Sequence, residues 1–314
     1  MAKVDKVPYV FVFEPPRILG RVLASDDFSY ITDPPAGMKS GSVILHVSCQ
    51  TLTVSHIPYL AQKIMEKLGI DFTTLGGPEN CCGSFHWHMG DEDYERQIAT
   101  LTLNGFRRMK PVRVVSTCPD CDASFERHMA RQHTFEHINI AEILVEHVDQ
   151  LKALMKHPVN KRVALHLHEE GEARQRDAEA VRRLMAAIPG LEVLDAPKAK
   201  GLGEHCVKQL GTVQLDVTHA MFTEAKELGA DYLVVPYHGC YRQHCKMQLE
   251  YGVEVQHYLA LLAQAIGIPY EEPFKELRML DDIDKAMERL RPRIQQLGYR
   301  EEEVRTYVQG AVYV

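Results

Sequence analysis

Short apolar runs recur along this 314-residue chain and alternate with longer stretches of helical character. Residues 43–47 form the first run, and residues 112–115 form another. Between them, residues 54–68 place apolar side chains at the three- and four-residue spacing of an amphipathic helix, and residues 94–109 also predict a helix. Short strands that alternate with helices are typical of parallel sheets, so the pattern predicts an α/β fold.

The second half of the chain repeats the pattern of the first. Three segments of the first half align with three of the second, at offsets of 120, 125 and 120 residues. The aligned pairs are 43–49 with 163–169, 79–82 with 204–207, and 114–118 with 234–238. Near-equal offsets at three places indicate an internal duplication, so we predict two similar α/β halves.

Composition and charge exclude several classes of function. Hydrophobic residues make up 45% of the chain and charged residues 25%, as in globular proteins. A formal net charge of −7 lacks the excess of positive charge that is typical of proteins that bind nucleic acid. The chain has no apolar run of about 18 residues, so we predict no membrane span. The clustered cysteines, and the lack of a signal-peptide apolar region before Glu14, favour a cytoplasmic protein.

Five of the eight cysteines are gathered in the first half, each just after a predicted strand. They are Cys49, Cys81, Cys82, Cys118 and Cys121. Five thiols leave one over from a disulfide set, and a tetrahedral zinc site uses four ligands. Two adjacent cysteines do not easily reach one ion but can hold two metal atoms of a cluster. Thiolates select zinc, copper(I) or iron–sulfur, so the spacing favours an iron–sulfur cluster, with zinc and a buried apolar core as the other interpretations.

These five cysteines, with Gly83 after the adjacent pair, resemble the cysteine-rich CCG domain found in the B subunit of heterodisulfide reductase and its relatives. The resemblance spans about residues 41–268. It implies one non-cubane 4Fe-4S cluster per chain, bound through the five cysteines. A chain with one intact and one degenerate motif also resembles the second B-type subunit of the heterodisulfide reductase-like complex of sulfur-oxidising prokaryotes.

The resemblance and the repeat together predict four regions. Residues 1–40 form an N-terminal extension, residues 41–158 a first CCG domain with the intact motif, residues 159–268 a second, degenerate CCG domain, and residues 269–314 a helical tail. Each CCG domain is expected to be Rossmann-like, with a parallel sheet flanked by helices. Within the outer regions, residues 9–13 are expected to form a short edge strand, and residues 307–314 are apolar enough for another.

The second half departs from the cysteine motif. Glu169, Val207, His238 and Tyr241 stand where cysteines are expected, so only Cys206 matches and no second five-thiolate cluster is predicted. Several polar residues nevertheless follow matching strand ends and are expected to converge. They are His166, His168, Glu169, Cys206, His238 and Cys240. Three interpretations stay open for them: a decayed repeat, a catalytic or substrate-facing group, and a zinc site. Cys245 is expected to be structural.

The resemblance implies cleavage or formation of a disulfide, persulfide or lipoyl-bound sulfur at the cluster. His86 and His88 follow the CCG motif and are candidate proton donors, because histidine titrates near neutral pH, although a plain surface loop is the other interpretation. Cys206, His238 and Cys240 are further catalytic candidates.

Electrons are expected to pass through partner subunits, since the chain has neither a flavin-binding G-x-G-x-x-G nor a ferredoxin-like C-x2-C-x2-C run. The implied partners are a ferredoxin-type C subunit and a flavin-containing A subunit. Two other functions remain: an electron-transfer subunit of a lactate, glycolate or succinate oxidoreductase, and a zinc-stabilised scaffold.

Overall fold

A computed structural model describes residues 9–33, 42–129, 135–199 and 212–313. In chain order its strands are β1 (Val43–Val47), β2 (Phe72–Gly76), β3 (Arg113–Ser116), β4 (Glu136–Asn139), β5 (Arg162–Leu165), β6 (Glu192–Val193), β7 (Tyr232–Val235) and β8 (Glu254–His257). Its α-helices are α1 (Tyr9–Val22), α2 (His56–Lys67), α3 (Ser84–His88), α4 (Glu92–Met109), α5 (Pro119–Met129), α6 (Ile140–Glu146), α7 (Val148–Leu154), α8 (Glu172–Ala186), α9 (Thr212–Glu227), α10 (His238–His244), α11 (Gln248–Tyr251), α12 (Tyr258–Ile266), α13 (Pro273–Leu280), α14 (Ile283–Leu297) and α15 (Glu301–Val312).

The chain divides into two compact units. Unit 1 takes the described residues within Met1–Tyr59, Asp71–Ile138 and Glu272–Val314, and unit 2 takes those within Leu60–Ile70 and Asn139–Glu271. The segment after residue 271 therefore belongs to unit 1, where its helices contact α1 and the 3-10 turn Gln50–Val54. The four sequence-based regions remain a prediction about domains.

Each unit is built on a four-stranded parallel sheet, with strand order β2-β1-β3-β4 in unit 1 and β6-β5-β7-β8 in unit 2. In both, the first strand of the unit lies between the second and the third. In unit 1, Val43 pairs with both Phe72 and Arg113. The predicted α/β class, with two similar halves and parallel sheets flanked by helices, is confirmed.

The N-terminal segment is helical, so the expected edge strand at residues 9–13 is wrong. Helix α1 buries Phe13, Leu19 and Val22, and packs on α15 and on the short turn after Cys49. Two prolines inside α1 leave two backbone positions without an N–H donor. Packing of the apolar face outweighs that loss, although the same prolines favour a loop when the sequence is considered alone.

The C-terminal segment is also helical, so the strand suggested for residues 307–314 is wrong. Val304, Val308 and Val312 are fully buried at four-residue spacing along α15. That spacing is the helical period, and it outweighs the β-propensity of the valines and tyrosines near the end of the chain.

The core of unit 1 reaches the cysteine motif. Three of the motif's thiols pack with buried side chains of the sheet and of α4 and α5. This group of buried core side chains comprises Ile44, Leu75, Cys82, Leu103, Phe106, Met109, Val114, Cys118, Cys121, Phe125 and Phe135. Among the described helices, none combines the length and apolar character needed to cross a bilayer.

Candidate functional site

Three neighbouring strand ends deliver the five cysteines. Cys49 follows β1 and precedes the 3-10 turn Gln50–Val54. The adjacent pair follows β2 after the turn Pro78–Asn80, and the last two cysteines lie just before and within the first turn of α5. Since β1 lies between β2 and β3, the carboxyl ends of these parallel strands meet at one edge of the sheet.

The five thiols are free and buried, and they contact one another in an order that we call the cysteine row. The Sγ atoms of Cys49 and Cys81 lie 3.9 Å apart. The Cys49 thiol raises the pKa of Cys81 well above its ordinary value. A hydrogen bond from Cys121 lowers the pKa of Cys82, but the Cys81 thiol and burial outweigh it and the pKa is raised. Cys118, and then Cys82, raise the pKa of Cys121. The row therefore runs Cys49, Cys81, Cys82, Cys121, Cys118.

The row is not a compact single-ion shell. Within the described part of the chain, one group of three potential ligands has its donor atoms all within 4.8 Å of one another, and it contains none of these five thiols. The two adjacent cysteines face different neighbours: Cys81 contacts Cys49, and Cys82 contacts Cys121.

Gly83 gives the cysteine loop its shape. Its φ is 81°, in the left-handed region that favours glycine. A Cβ at this position would lie 2.7 Å from the backbone oxygen of Glu95, so the loop and α4 approach too closely for any side chain. The Gly83 N–H donates to the Cys81 sulfur at 3.3 Å.

His46 anchors the other side of the same loop. It is fully buried, and its Nε2 lies 2.8 Å from the backbone oxygen of Asn80, the residue before the adjacent cysteines. Burial lowers the pKa of His46 to about 4, although the hydrogen bond to Asn80 raises it. The imidazole is therefore neutral at physiological pH and donates from Nε2. Asn80 in turn donates its side-chain amide to the carbonyl of Gly76.

Glu95 is a buried hub that sequence reasoning missed. Its carboxylate accepts hydrogen bonds from Arg127 and His128, and Ser124 lies 2.8 Å from it. The Ser124 hydroxyl also lies 2.7 Å from the backbone oxygen of Cys82. Burial raises the pKa of Glu95, but these three partners together outweigh burial, so the net shift is downward. The signal in the sequence was its place on the apolar face of α4, four residues before Ala99.

The two candidate proton donors differ in their surroundings. His86 is buried on α3, with its ring 4.5 Å from that of Tyr94. His88 is a quarter exposed; its Nε2 lies 3.2 Å from the Ser84 hydroxyl and 3.9 Å from Asp120 Oδ2. Since Asp120 sits between the last two cysteines, His88 links the loop of the adjacent pair to that of the Cys-x-x-Cys pair.

The second-half candidates separate into two groups. His166, His168 and Cys240 form the compact group of three, all buried. Glu169 instead pairs with Arg182 on a partly exposed surface, so it does not join them. Cys206 lies outside the described residues.

Two further residues of the second half, the candidate His238 and the expected structural Cys245, lie at the two ends of α10. His238 is buried at its first residue, on the matching strand end. Cys245 is fully buried just after the helix, in a short 3-10 turn, and its thiol donates weakly to the Arg242 carbonyl.

Comparison with known proteins agrees with the cysteine pattern. Residues 43–126 match the CCG cysteine-rich domain family, and all five cysteines fall within the match. Three curated relatives are each named as the D subunit of dihydromethanophenazine:CoB–CoM heterodisulfide reductase. The protein from Methanosarcina acetivorans is 24% identical over 230 residues, that from Methanosarcina mazei 23% over 227, and that from Methanosarcina barkeri 24% over 228.

Each of these alignments covers 68% of this chain and 56% of the relative, so the chain spans about half the length of the curated relatives it matches. Among solved structures, aspartate racemase of Picrophilus torridus aligns over 77% of this chain and 100% of its own, at 11% identity. Its TM-score of 0.30 is too low to bear on fold or function. The curated relatives are named as D subunits, so the narrower resemblance to the B subunit and to the sulfur-oxidising complex stays a prediction.

Proposed function

We propose that this chain is an iron–sulfur redox subunit of a heterodisulfide reductase-like complex, which cleaves or forms a disulfide or persulfide bond. The observation that carries the proposal is the row of five free, buried thiols on three adjacent strand ends. The similarity to heterodisulfide reductase subunits supports the same interpretation.

The spacing of the thiols suits a cluster better than one zinc ion. In a tetrahedral zinc–thiolate site with Zn–S near 2.3 Å, all sulfurs lie within about 3.8 Å of one another. No three of the five described thiols come within 4.8 Å of one another. Cys81 and Cys82 contact each other and also a different neighbour each, Cys49 and Cys121, as two ligands to different metal atoms would. The five residues that would hold a 4Fe-4S cluster are Cys49, Cys81, Cys82, Cys118 and Cys121.

Such a cluster, when bound, supplies electrons one at a time and accepts sulfur ligands. The residues of the chain contribute burial, hydrogen bonds and positioning of the ligands. Burial keeps water from the thiolates, and the Gly83 N–H stabilises the sulfur of Cys81 by a hydrogen bond. His46 and Glu95 fix the two backbone segments that carry the adjacent pair, through Asn80 and Ser124.

His88 is the better placed of the two proton donors in this proposal. It is partly exposed, and its Nε2 lies 3.9 Å from Asp120 Oδ2. A protonated imidazole beside the row would protonate the thiolate that leaves when a disulfide is cleaved. His86, buried against Tyr94, would instead hold α3 in place.

Partner subunits would supply or remove the electrons. The relatives are named as subunits of a larger reductase, which supports work inside a complex. A ferredoxin-type subunit and a flavin-containing subunit would complete the electron path. The substrate class is a disulfide, a persulfide or a lipoyl-bound sulfur.

The deciding experiment measures iron, acid-labile sulfide and zinc per chain on anaerobically purified protein, with electron paramagnetic resonance before and after addition of disulfides. We expect about four irons and four sulfides, and a signal that disulfides change. Cys82→Ser should abolish or convert the cluster, whereas Cys245→Ser, a buried thiol of unit 2, should retain it. Unchanged iron in Cys81→Ser and Cys82→Ser would exclude these ligands. A cluster whose electron paramagnetic resonance signal does not change with disulfides would indicate a subunit that only transfers electrons.

A further inference from the structure

Unit 2 carries a second group of soft ligands at the place where unit 1 carries its thiols. His166 and His168 directly follow β5, and Cys240 lies in the first turn of α10, after β7. β5 and β7 are adjacent and parallel, with Leu165 paired to Val234. The three side chains therefore meet at the carboxyl edge of the unit 2 sheet, the edge where open α/β sheets bind ligands.

The donor atoms have the spacing of a single-ion site. One donor atom from each of the three side chains lies within 4.8 Å of the other two. His168 Nε2 and Cys240 Sγ are 3.2 Å apart. With Zn–N near 2.0 Å and Zn–S near 2.3 Å, a tetrahedral site separates nitrogen and sulfur by about 3.5 Å. The ring centroids of His166 and His168 lie 5.0 Å apart, edge to face.

His166 is held in the tautomer that a metal ligand needs. Its Nδ1 lies 2.7 Å from the backbone oxygen of Ala199. A carbonyl only accepts, so Nδ1 carries the proton and Nε2 keeps its lone pair. Ligating histidines are commonly oriented in this way, by a hydrogen bond from the other ring nitrogen.

The matching histidine of unit 1 donates from the other ring nitrogen. His46, 120 positions earlier, donates from Nε2 to the Asn80 carbonyl. Its ring is turned into the aromatic core, 5.3 Å from both Phe106 and Phe125. Both strands therefore have a histidine at their carboxyl end. His166 of unit 2, unlike His46, has its donor atom beside a second histidine and a thiol.

A buried network fixes the aromatic ring that lies beside His168. The ring of Tyr237 lies 5.3 Å from that of His168. The Tyr237 hydroxyl donates to Asp177 at 2.8 Å, and Arg174 donates to both Asp177 and the Tyr237 oxygen. Fixed partners of this kind pre-organise a ligand before its ion arrives.

A reactive cysteine–histidine pair fits the site less well. Such a nucleophile is partly exposed to its substrate. Cys240 is 5% exposed and His168 is 1% exposed. A cysteine–histidine pair also gives no role to His166, whose donor atom completes the compact group.

We propose that unit 2 binds one zinc-class divalent cation through His166, His168 and Cys240. Two neutral imidazoles and one thiolate select a borderline-soft ion, and they disfavour magnesium or calcium, which take oxygen ligands. The cation neutralises the buried thiolate. The degenerate half is then a mononuclear metal module in the same chain as the iron–sulfur half of the proposed function.

The test measures zinc and iron in the same samples, so the two proposals fail separately. The full chain, purified anaerobically, should hold about one zinc in addition to its iron. Cys240→Ser and His168→Asn should each remove the zinc and leave iron and sulfide unchanged. Cys245→Ser is the matched control and should retain the zinc, because Cys245 is as buried as Cys240 but outside the group.

A ligand swap separates metal binding from simple packing. His168→Cys replaces an imidazole by another zinc ligand and should restore much of the zinc that His168→Asn loses. Cobalt(II) titration of the zinc-depleted chain should give a thiolate-to-cobalt absorption band in wild type and in Cys245→Ser, but not in Cys240→Ser. Circular dichroism confirms that each variant is folded.

Several results would overturn the proposal. The proposal would be wrong if the wild-type protein bound neither zinc nor cobalt at the Cys240 thiol. It would also be wrong if the zinc disappeared with Cys81→Ser and persisted in Cys240→Ser, since that ion would sit on the cysteine row of unit 1.

Discussion

His46 donates from Nε2 to the backbone oxygen of Asn80 across 2.8 Å, and so joins the end of β1 to the residue before the adjacent cysteines. The bond needs a proton on Nε2, which the imidazole carries whether or not Nδ1 is protonated. The ring is fully buried against Phe106 and Phe125, so protonation would place a charge inside that aromatic core.

The first prediction follows from that burial and concerns pH. The pKa of His46 is lowered from 6.5 to about 4, so the unfolded chain binds a proton that the folded chain excludes between these values. Its contribution to stability is full above pH 6.5 and is lost as the pH falls toward 4. The free energy of unfolding should fall by up to about 1.4 kcal/mol per pH unit in that window. Urea unfolding of chelator-treated protein at several pH values measures the slope.

A non-titrating variant provides the control for this prediction. His46→Gln keeps an amide donor but cannot bind a proton, so its slope should be shallower by about one proton. His257, whose pKa burial lowers to about 3, contributes a similar slope that should remain in this variant. An unchanged slope in His46→Gln would contradict the burial argument.

Gly83 supplies the second prediction, which concerns steric fit. Gly83→Ala adds a Cβ 2.7 Å from the Glu95 backbone oxygen, at a φ of 81°. We expect a loss of about 1–3 kcal/mol in the free energy of unfolding and a lower iron content. Gly90→Ala is the matched control: its φ is 78°, but no atom lies within 4 Å of the added Cβ. Equal losses in the two variants would mean that backbone strain alone, and not the close approach, matters.

Much of the fold could be predicted because its signals are local. The strand at residues 43–47 and the helix ending at Met109 follow directly from apolar periodicity. The sheet order of the second half follows from the repeat, since equal offsets carry the topology of one half to the other. The helix at Tyr9–Val22 could not be predicted, because its two prolines disfavour a helix locally and the packing partners of its apolar face lie far along the chain.

The candidate site divides in the same way. The five cysteines are recognisable because their spacing is a sequence property. Glu95 is not, since its role depends on Ser124, Arg127 and His128, about thirty residues later. In the second half, six residues were expected to converge, but only distances could separate His166, His168 and Cys240 from Glu169, which turns outward to Arg182.

The third prediction tests Glu95 as the hub beneath the cysteine loop. Glu95→Gln keeps the shape but removes the charge that pairs with Arg127 and His128. We expect a loss of about 1–3 kcal/mol in stability and faster release of iron to a chelator, because the Gln amide offers one acceptor oxygen where the carboxylate offers two to Ser124, Arg127 and His128. Thermal unfolding and the rate of iron release measure these effects.

An exposed carboxylate on the same helix is the control for Glu95. Glu92→Gln changes the charge in the first turn of α4, at an exposed position. It should alter stability by less than about 0.5 kcal/mol and leave iron release unchanged. If both variants behave alike, the effect of Glu95 is one of net charge, and the hub has no special role.

The last prediction assigns a kinetic role to His88. If it protonates the leaving thiolate, His88→Asn should slow reduction of a disulfide by about tenfold or more while iron and sulfide stay unchanged. The alkaline limb of the pH profile should also flatten in this variant, because wild-type turnover falls as the pH rises through the pKa of an imidazolium. His86→Asn supplies the comparison, since a buried packing residue should change stability and leave the shape of the profile intact. If His88→Asn keeps the wild-type pH profile, His88 is not the proton donor and the proton comes from solvent.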